Sequence, residues 1–496
     1  MPISRPDGLS KTLLLKGLRC PKALWLAKNS PPFEFPPQRG LEAIFTAGNQ
    51  VNALAQRLFP GGVEVPFEDL SVSAQVAQTV DLINSGATVI YEASFAFDGI
   101  FIKADILVKG PDGWQIHEVK MGTSVKPVNL DDVAIQYHVL AGCGLQVSGA
   151  FLVHINNQYV RQGTINVLQL FTSEDVLTEV LARQPELPNT IASLRKTLAG
   201  DEPSIDIGPH CLDPYDCEFI PYCWQHVPAN SIFDLRGRWV KKWDLYRRGI
   251  VSFADIPLDE LNPNQRQQVE ATLQQEDSLN PAGVKAFLDT LWYPLCFLDF
   301  ETFNSPIPLH DGTRPYQQVP FQYSVHVQGA PGAEPQHFEY LAPPGSDPRR
   351  ELIENLLGVI PEDACVLTYN QAFEKGVLCE LAHLFPDLAP AIKTRLANIC
   401  DLMVPFRRRD VYKWQMDGSY SIKKVLPALV PELSYQGMEI GDGQAAMDAY
   451  HQMCVLENGE ELERLRRMML AYCRMDTLGM VRILEKLETF SALTLD

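Results

Sequence analysis

The stretch FIKADILVKGPDGWQIHEVKMG, residues 101–122, carries side chains suited to metal-assisted chemistry on a phosphodiester. Asp105 lies in an apolar, strand-like run, the KGPDG of Lys109 to Gly113 reads as a turn, and the returning run carries Glu118, Val119 and Lys120. Residues two apart on a strand project to the same side. Glu118 and Lys120 therefore point together, and a hairpin brings Asp105 beside them. Two carboxylates and a lysine at a strand end can hold Mg2+ or Mn2+, activate a water for attack on phosphorus and offset the charge that develops. Gln136, in the helical stretch DVAIQYHVLAGCGL, is a further candidate for holding that water or a nucleic-acid backbone. Glu-x-Lys is also a common polar strand face; the apolar neighbours Ala104 and Ile106 set Asp105 apart.

Two more groups of reactive residue types follow. LCFLDFETF places Asp299 and Glu301 two apart on a strand, and AYCRMDTLGM places Tyr472 and Asp476 four apart. On a helix that spacing puts phenol and carboxylate on one face. HCLDPYDCEFIPYCW spaces Cys211, Cys217 and Cys223 evenly, one thiol short of the usual metal site. No secretory h-region stands at the N-terminus, so a cytoplasmic, reducing location is expected, in which cysteines serve as thiols or metal ligands. Structural zinc and unligated thiols are the alternatives; the tight Cys-x2-Cys knuckles usual for zinc are missing.

These residues need elements to hold them. The 496 residues give a prior of roughly three domains. Hydrophobic content of 46% and charged content of 21% are ordinary for globular chains. No apolar run approaches the roughly 18 residues of a membrane span, so no membrane partner is expected. A net charge of −19 argues against non-specific binding to nucleic acid or anionic membrane, although carboxylates gathered to hold cations contribute to that number. The basic clusters at 238–248, 406–414 and 464–469 read as solvated helix faces. Residues 1–225 read as an α/β unit closed by the cysteine segment, residues 226–290 as a polar helical connector, and residues 291–496 as a second α/β unit that opens with a strand meander. Cys143, Cys296, Cys365, Cys379, Cys400, Cys454 and Cys473 fall in apolar or helical patterns and are expected in the core.

ADILV, HEVKMG and AIQYHVL together resemble the PD-(D/E)XK core of RecB-like nucleases, with Asp105, Glu118, Lys120 and Gln136 at its motif positions. Many of that family carry a histidine in the early helix; here GNQVN places Asn52 there. RCPKALWLAKN is similar to the N-terminal signature of the members that hold a [4Fe–4S] cluster, with one cysteine before the core and three after it. The resemblance thus makes Cys20, Cys211, Cys217 and Cys223 the four thiolate ligands that a cubane needs. FLDFETFN, TYNQAFEKGVL and AYCRMDTLGM resemble the motifs of DEDD, RNase H-like 3′–5′ exonucleases of the tyrosine branch. That likeness implies metal ligands Asp299, Glu301, Glu374 and Asp476, a substrate contact at Asn370, and Tyr472 as the residue that orients or deprotonates the attacking water. Asp401, in NICDLMVPF, ranks behind Glu374 as an acidic ligand.

The expectation is a chain that joins a restriction-endonuclease-like domain to an RNase H-like domain through a helical linker. Its expected cofactors are a 4Fe–4S cluster and Mg2+ or Mn2+, and its partner is nucleic acid, foremost DNA with single-stranded or 3′ ends, in repair, recombination or defence. An RNA-processing exonuclease and a binding scaffold with one inactive module are the competing readings.

Overall fold

A computed structural model describes residues 9–29, 41–66, 70–238, 240–456 and 459–492 of the chain. Residues 1–8, on which the expected lack of a secretory signal partly rests, lie outside them. The architecture is mixed α/β in two compact units, one comprising residues 1–226 with 305–317 and the other 227–304 with 318–496.

In the first unit the strands are β1 (Leu9–Ser10), β2 (Val63–Glu64), β3 (Val89–Phe97), β4 (Ile100–Gly110), β5 (Gly113–Lys120), β6 (Val147–Ile155) and β7 (Phe171–Asp175). Around them lie α1 (Lys11–Arg19), α2 (Pro21–Asn29), α3 (Leu41–Gln56), α4 (Val72–Asn84), α5 (Pro127–Gly142), α6 (Val167–Leu170), α7 (Leu177–Arg183), α8 (Leu187–Ala199) and α9 (Ile220–Cys223). The sheet runs β2-β3-β4-β5-β6-β7, with β1 added parallel to β4. The pairs β3–β4 and β4–β5 are antiparallel, while β5–β6 is parallel across the crossover helix α5. That helix is apolar on most sides, and Val133, Ala134, Ile135, Val139 and Leu140 are all buried against the sheet. The β4–β5 turn closes at Gly113, whose φ of +146° no L side chain adopts readily and where a Cβ would lie 2.4 Å from the Gln146 carbonyl oxygen.

The second unit contains β8 (Ser278–Leu279), β9 (Leu295–Phe303), β10 (Val319–Gln328), β11 (Gln336–Leu341), β12 (Cys365–Thr368), β13 (Ile399–Asp401) and β14 (Val411–Tyr412). Its helices are α10 (Lys242–Arg247), α11 (Pro263–Gln274), α12 (Pro281–Leu288), α13 (Arg349–Val359), α14 (Ala372–Leu384), α15 (Ala389–Ala397), α16 (Val404–Arg407), α17 (Ile422–Leu429), α18 (Gly443–Val455) and α19 (Glu460–Ala492). The main sheet runs β11-β10-β9-β12-β13: a three-stranded antiparallel meander, then two strands parallel to β9. Strand β9 is buried on both faces, which explains its unbroken apolar start. Leu295 and Phe297 join the core formed with α17 and α19, while Cys296 and Leu298 join the one formed with α13 and α14. The residues expected as a separate connector carry a core of their own inside this unit, where Ile232, Leu235, Phe253, Ile256 and Val269 are buried together.

Among the described residues no helix is long and apolar enough to cross a membrane. Gly113→Ala should destabilise the protein by about 1–3 kcal/mol, since it forces a strained dihedral and a backbone clash together. Urea denaturation followed by circular dichroism checks this; an unchanged midpoint would contradict it.

Candidate metal and catalytic sites

The first carboxylate site grows from the β4–β5 ladder. That ladder pairs Ile106 with His117, and just beyond it the Asp105 carboxylate accepts the Val119 N–H at 2.8 Å. Lys120 Nζ donates to Glu118 Oε1 at 2.6 Å and to Asp132 Oδ2 at 2.8 Å. From α5, Gln136 Nε2 donates to Glu118 Oε2 at 2.7 Å and to Asp132 Oδ1 at 2.9 Å. Glu118, Lys120 and Gln136 thus meet in one hydrogen-bonded network with Asp105 alongside. Burial, reinforced by the Glu118 charge, pushes the Asp105 carboxyl up to about 8.

Three members of this site were not read from the sequence. Lys11, at the start of α1, donates to Glu118 Oε1 at 3.1 Å and lies 2.8 Å from Asp132 Oδ1. Burial works against the charge on Lys11 and Lys120, but Glu118 and Asp132 outweigh it and hold both lysines above their ordinary range. Burial also opposes ionisation of Asp132, yet the two ammonium groups hold it well below the usual carboxylate range. Asp132 was legible in principle, because it lies four residues before Gln136 on the same helix face. The third is Glu92, the charged interruption in the apolar run ATVIYEASFAF. It has φ +55° in β3, accepts the Asn52 side-chain amide at 2.8 Å and pairs with Lys103 at 2.6 Å. A non-glycine residue at positive φ inside a strand is strained, and the β3–β4 register passes from Tyr91–Ile106 to Ala93–Ala104 around it. Asn52 Oδ1 and Gln136 Oε1 are buried without a hydrogen-bond partner.

The second site joins β9 to α19. Asp299, Glu301 and Asp476 each offer a carboxylate oxygen, and these atoms lie within 4.8 Å of one another, a spacing suited to a metal ion. Glu301 and Asp476 are only 7% and 6% exposed. Burial and the Asp476 charge push Glu301 up to about 8, burial raises Asp476 to about 6, and burial with Asp476, Glu301 and Glu374 holds Asp299 well above the carboxylate range. Tyr472, one turn before Asp476, is buried. Burial and the surrounding carboxylates hold its phenol far above the usual range, so it acts as a donor. Three further residues come into view only here. The Tyr435 hydroxyl donates to Asp476 Oδ1, the Cys473 thiol lies 3.4 Å from Asp299 Oδ2, and the Lys423 ammonium lies 5.8 Å from the Tyr472 ring centre.

Glu374 sits in the first turn of α14, 2% exposed, with Oε2 unpartnered and its carboxyl pushed up to about 8 by burial. It raises the Asp299 pKa but stands outside the group of three carboxylates. Asn370 has φ +74° and an exposed side chain, while its N–H donates to Asp401 Oδ1 at 3.0 Å. Asp401 also accepts the Met403 N–H at 3.0 Å, so its carboxylate braces the backbone where α14 and β13 meet the site.

The cysteine residues come from opposite ends of the first unit. Cys20 caps α1 by donating its N–H to the Lys16 carbonyl at 2.9 Å. The Cys217 N–H donates to the Cys211 carbonyl at 2.8 Å, and the Cys223 N–H to the Phe219 carbonyl at 2.9 Å. Cys20, Cys211, Cys217 and Cys223 line one small cavity with Lys22 and Phe219. Burial raises the Cys217 thiol, and raises Cys223 to about 11 against the pull of Lys22. Among the described residues these sulfurs are not drawn together within 4.8 Å as the second-site carboxylates are. Of the seven cysteines expected in the core, Cys296, Cys365 and Cys473 are buried and Cys400 is half-buried, whereas Cys143, Cys379 and Cys454 are exposed. A helix places only part of its circumference against a core; Cys379 and Cys454 lie on the other part of α14 and α18, and Cys143 follows the end of α5 in a turn.

Residues 296–421 match a protein family described as a domain of unknown function, DUF2779. The match begins at β9 and includes Asp299, Glu301, Glu374 and Asp401, and it ends before α19. Uncharacterized protein MG366 of Mycoplasma genitalium is 24% identical over 289 residues, covering 51% of this chain and 43% of its own. The Uncharacterized protein MG366 homolog of Mycoplasma pneumoniae is 25% identical over 361 residues, covering 61% of this chain and 54% of its own. The chain therefore spans about half the length of these curated relatives.

The raised carboxyls have a consequence for stability. Glu301 and Asp476 hold protons more tightly in the fold than in the unfolded chain, where carboxyls titrate near pH 4. Their contribution is fully present below that pH and is lost as pH rises through about 6 and then about 8. The melting temperature of metal-free protein should fall from about pH 5 to about pH 8, and fall less steeply in Asp299→Asn, which removes a third carboxyl that burial and its acidic neighbours hold well above the usual range. Scanning fluorimetry across that range checks the difference, and identical slopes would contradict the electrostatic account.

Proposed function

We propose that this protein is a metal-dependent nuclease that hydrolyses DNA phosphodiester bonds, with a 3′–5′ exonuclease centre in the second unit and a RecB-like centre in the first. The observation that carries the reading is the convergence of Asp299, Glu301 and Asp476 from β9 and α19, with Tyr472 one helical turn from Asp476. An antiparallel meander followed by parallel strands is also the layout that the RNase H-like resemblance implies.

The donor set fits hard divalent cations: it is all carboxylate, buried, and short of internal positive charge. Asp299, Glu301 and Asp476 would hold them, with Glu374 a further acid whose charge is felt at Asp299. When bound, Mg2+ or Mn2+ would polarise the scissile phosphate and stabilise charge on the attacking and leaving oxygens. The chain's own groups do the rest. Tyr472 donates a hydrogen bond at the reacting centre and fixes the attacking water's direction. Lys423 faces the Tyr472 and Tyr435 rings and supplies positive charge for a substrate phosphate. In the first unit, Asp105 and the unpartnered carbonyl oxygens of Asn52 and Gln136 can accept a cation, and Lys120 stands ready for a phosphate charge. Four cysteines around one cavity fit a [4Fe–4S] cluster, which would tie α1 to the segment 211–223.

Shortening of 3′-labelled single-stranded DNA should require Mg2+ or Mn2+ and fall about 100-fold or more in Asp299→Ala, with Glu118→Ala removing a separate cleavage. Faster shortening of a matched RNA would move the substrate to RNA, and activity untouched by either substitution would sink both site assignments. Protein purified without oxygen should be brown, with broad visible absorption lost in Cys20→Ser. Colourless protein containing stoichiometric zinc would replace the cluster by a zinc site.

A further inference from the structure

Glu118 already accepts three hydrogen bonds, and its Oε1 is shared by two ammonium groups. Its Oε1 accepts from Lys120 at 2.6 Å and from Lys11 at 3.1 Å, and its Oε2 accepts from Gln136 at 2.7 Å. Lys120 belongs to the motif, but Lys11 is a second ammonium, and it also lies 2.8 Å from Asp132. Two lysines facing Glu118 and Asp132 nearly cancel the charge that would attract a divalent ion. Lys11 is also the first residue of α1, a nine-residue helix whose C-cap is Cys20. The far end of that helix is tied to the cysteine segment: Lys16 pairs with Glu218, Arg19 Nε donates to the His210 carbonyl at 2.6 Å, and Arg19 Nη2 donates to the Tyr215 carbonyl. One short, rigid helix therefore has its first residue in the carboxylate network and its C-cap in the four-cysteine cavity.

Resting on the reading of the first unit as a metal-dependent centre, we propose that Lys11 is a resident counter-ion that competes with the divalent cation for Glu118, and that the cysteine segment sets its hold through α1. Lys11 is then a positioning residue. It keeps Glu118 ordered and neutralised, and it must withdraw for Oε1 to turn to a metal. A lysine has the reach to do so, because its four-carbon stem allows the ammonium to swing away without moving the helix. Displacing α1 at its Cys20 end weakens the same contact from the other side.

The experiment reads metal binding and not cleavage. In a background carrying Asp299→Asn and Asp476→Asn, which silences the second site, Mn2+ binding is followed by the electron paramagnetic resonance of the free ion. Lys11→Met should tighten the binding that Glu118→Gln abolishes by about tenfold, while Lys11→Arg, which keeps the charge, should stay near the wild-type affinity. Arg19→Ala, which frees α1 from the cysteine segment without touching a cysteine, should tighten binding several-fold when Lys11 is present and not at all alongside Lys11→Met. Unchanged or weaker binding in Lys11→Met overturns the counter-ion role, as does an Arg19→Ala effect of equal size in both backgrounds. If no variant shows Glu118-dependent Mn2+ binding, the metal-centre reading of the first unit falls and the competition falls with it.

Discussion

Buried negative charge is the constraint around which both units are organised. A carboxylate removed from water is expensive unless a cation, a proton or several donors accompany it. The two units meet that requirement differently. In the first, Lys11 and Lys120 neutralise Glu118 and Asp132 within the network, so those charges are satisfied by the chain itself. In the second, Asp299, Glu301 and Asp476 face one another with Lys423 the nearby positive charge, so the fold carries repulsion that protons relieve. Three carboxylate oxygens so placed could hold a metal ion.

The folds make that arrangement possible by fixing both ends of each cluster. Strand β9 is buried on its two faces by separate cores, which leaves it little freedom to shift, and Asp299 and Glu301 inherit that rigidity. Helix α19 packs its buried face along the same core and delivers Tyr472 and Asp476 from one side. Some of the strain and unpartnered atoms of the fold lie at these sites: positive φ at Glu92 and Asn370, and lone oxygens at Asn52, Gln136 and Glu374. Folds tolerate such costs where the surrounding packing over-determines the conformation.

Much of this was readable along the chain. The alternation in FIKADILVKG and WQIHEVKM, the KGPDG turn and the crossover helix were local signals, and they appear as β4, β5, the Gly113 turn and α5. Strand β9 and the pairing of Tyr472 with Asp476 were equally local. The region 226–290 was harder, because its apolar residues are scattered singly among polar ones and form a core only when brought together. The exposed cysteines were misplaced for a related reason: helical patterns do not say which face a neighbour covers.

By itself, the sequence determined which side chains share a face, since strand and helix periods are set by backbone geometry within a few residues. It thereby fixed the pairs Glu118 with Lys120, Asp299 with Glu301, and Tyr472 with Asp476. Only the tertiary structure decided which charges meet across the chain. Lys11 reaches Glu118 over a separation of 107 residues, and Tyr435 reaches Asp476 over 41. Coulomb forces act through space, and no periodicity in the sequence records who is brought near. Whether a buried carboxylate meets a lysine or another carboxylate is settled there.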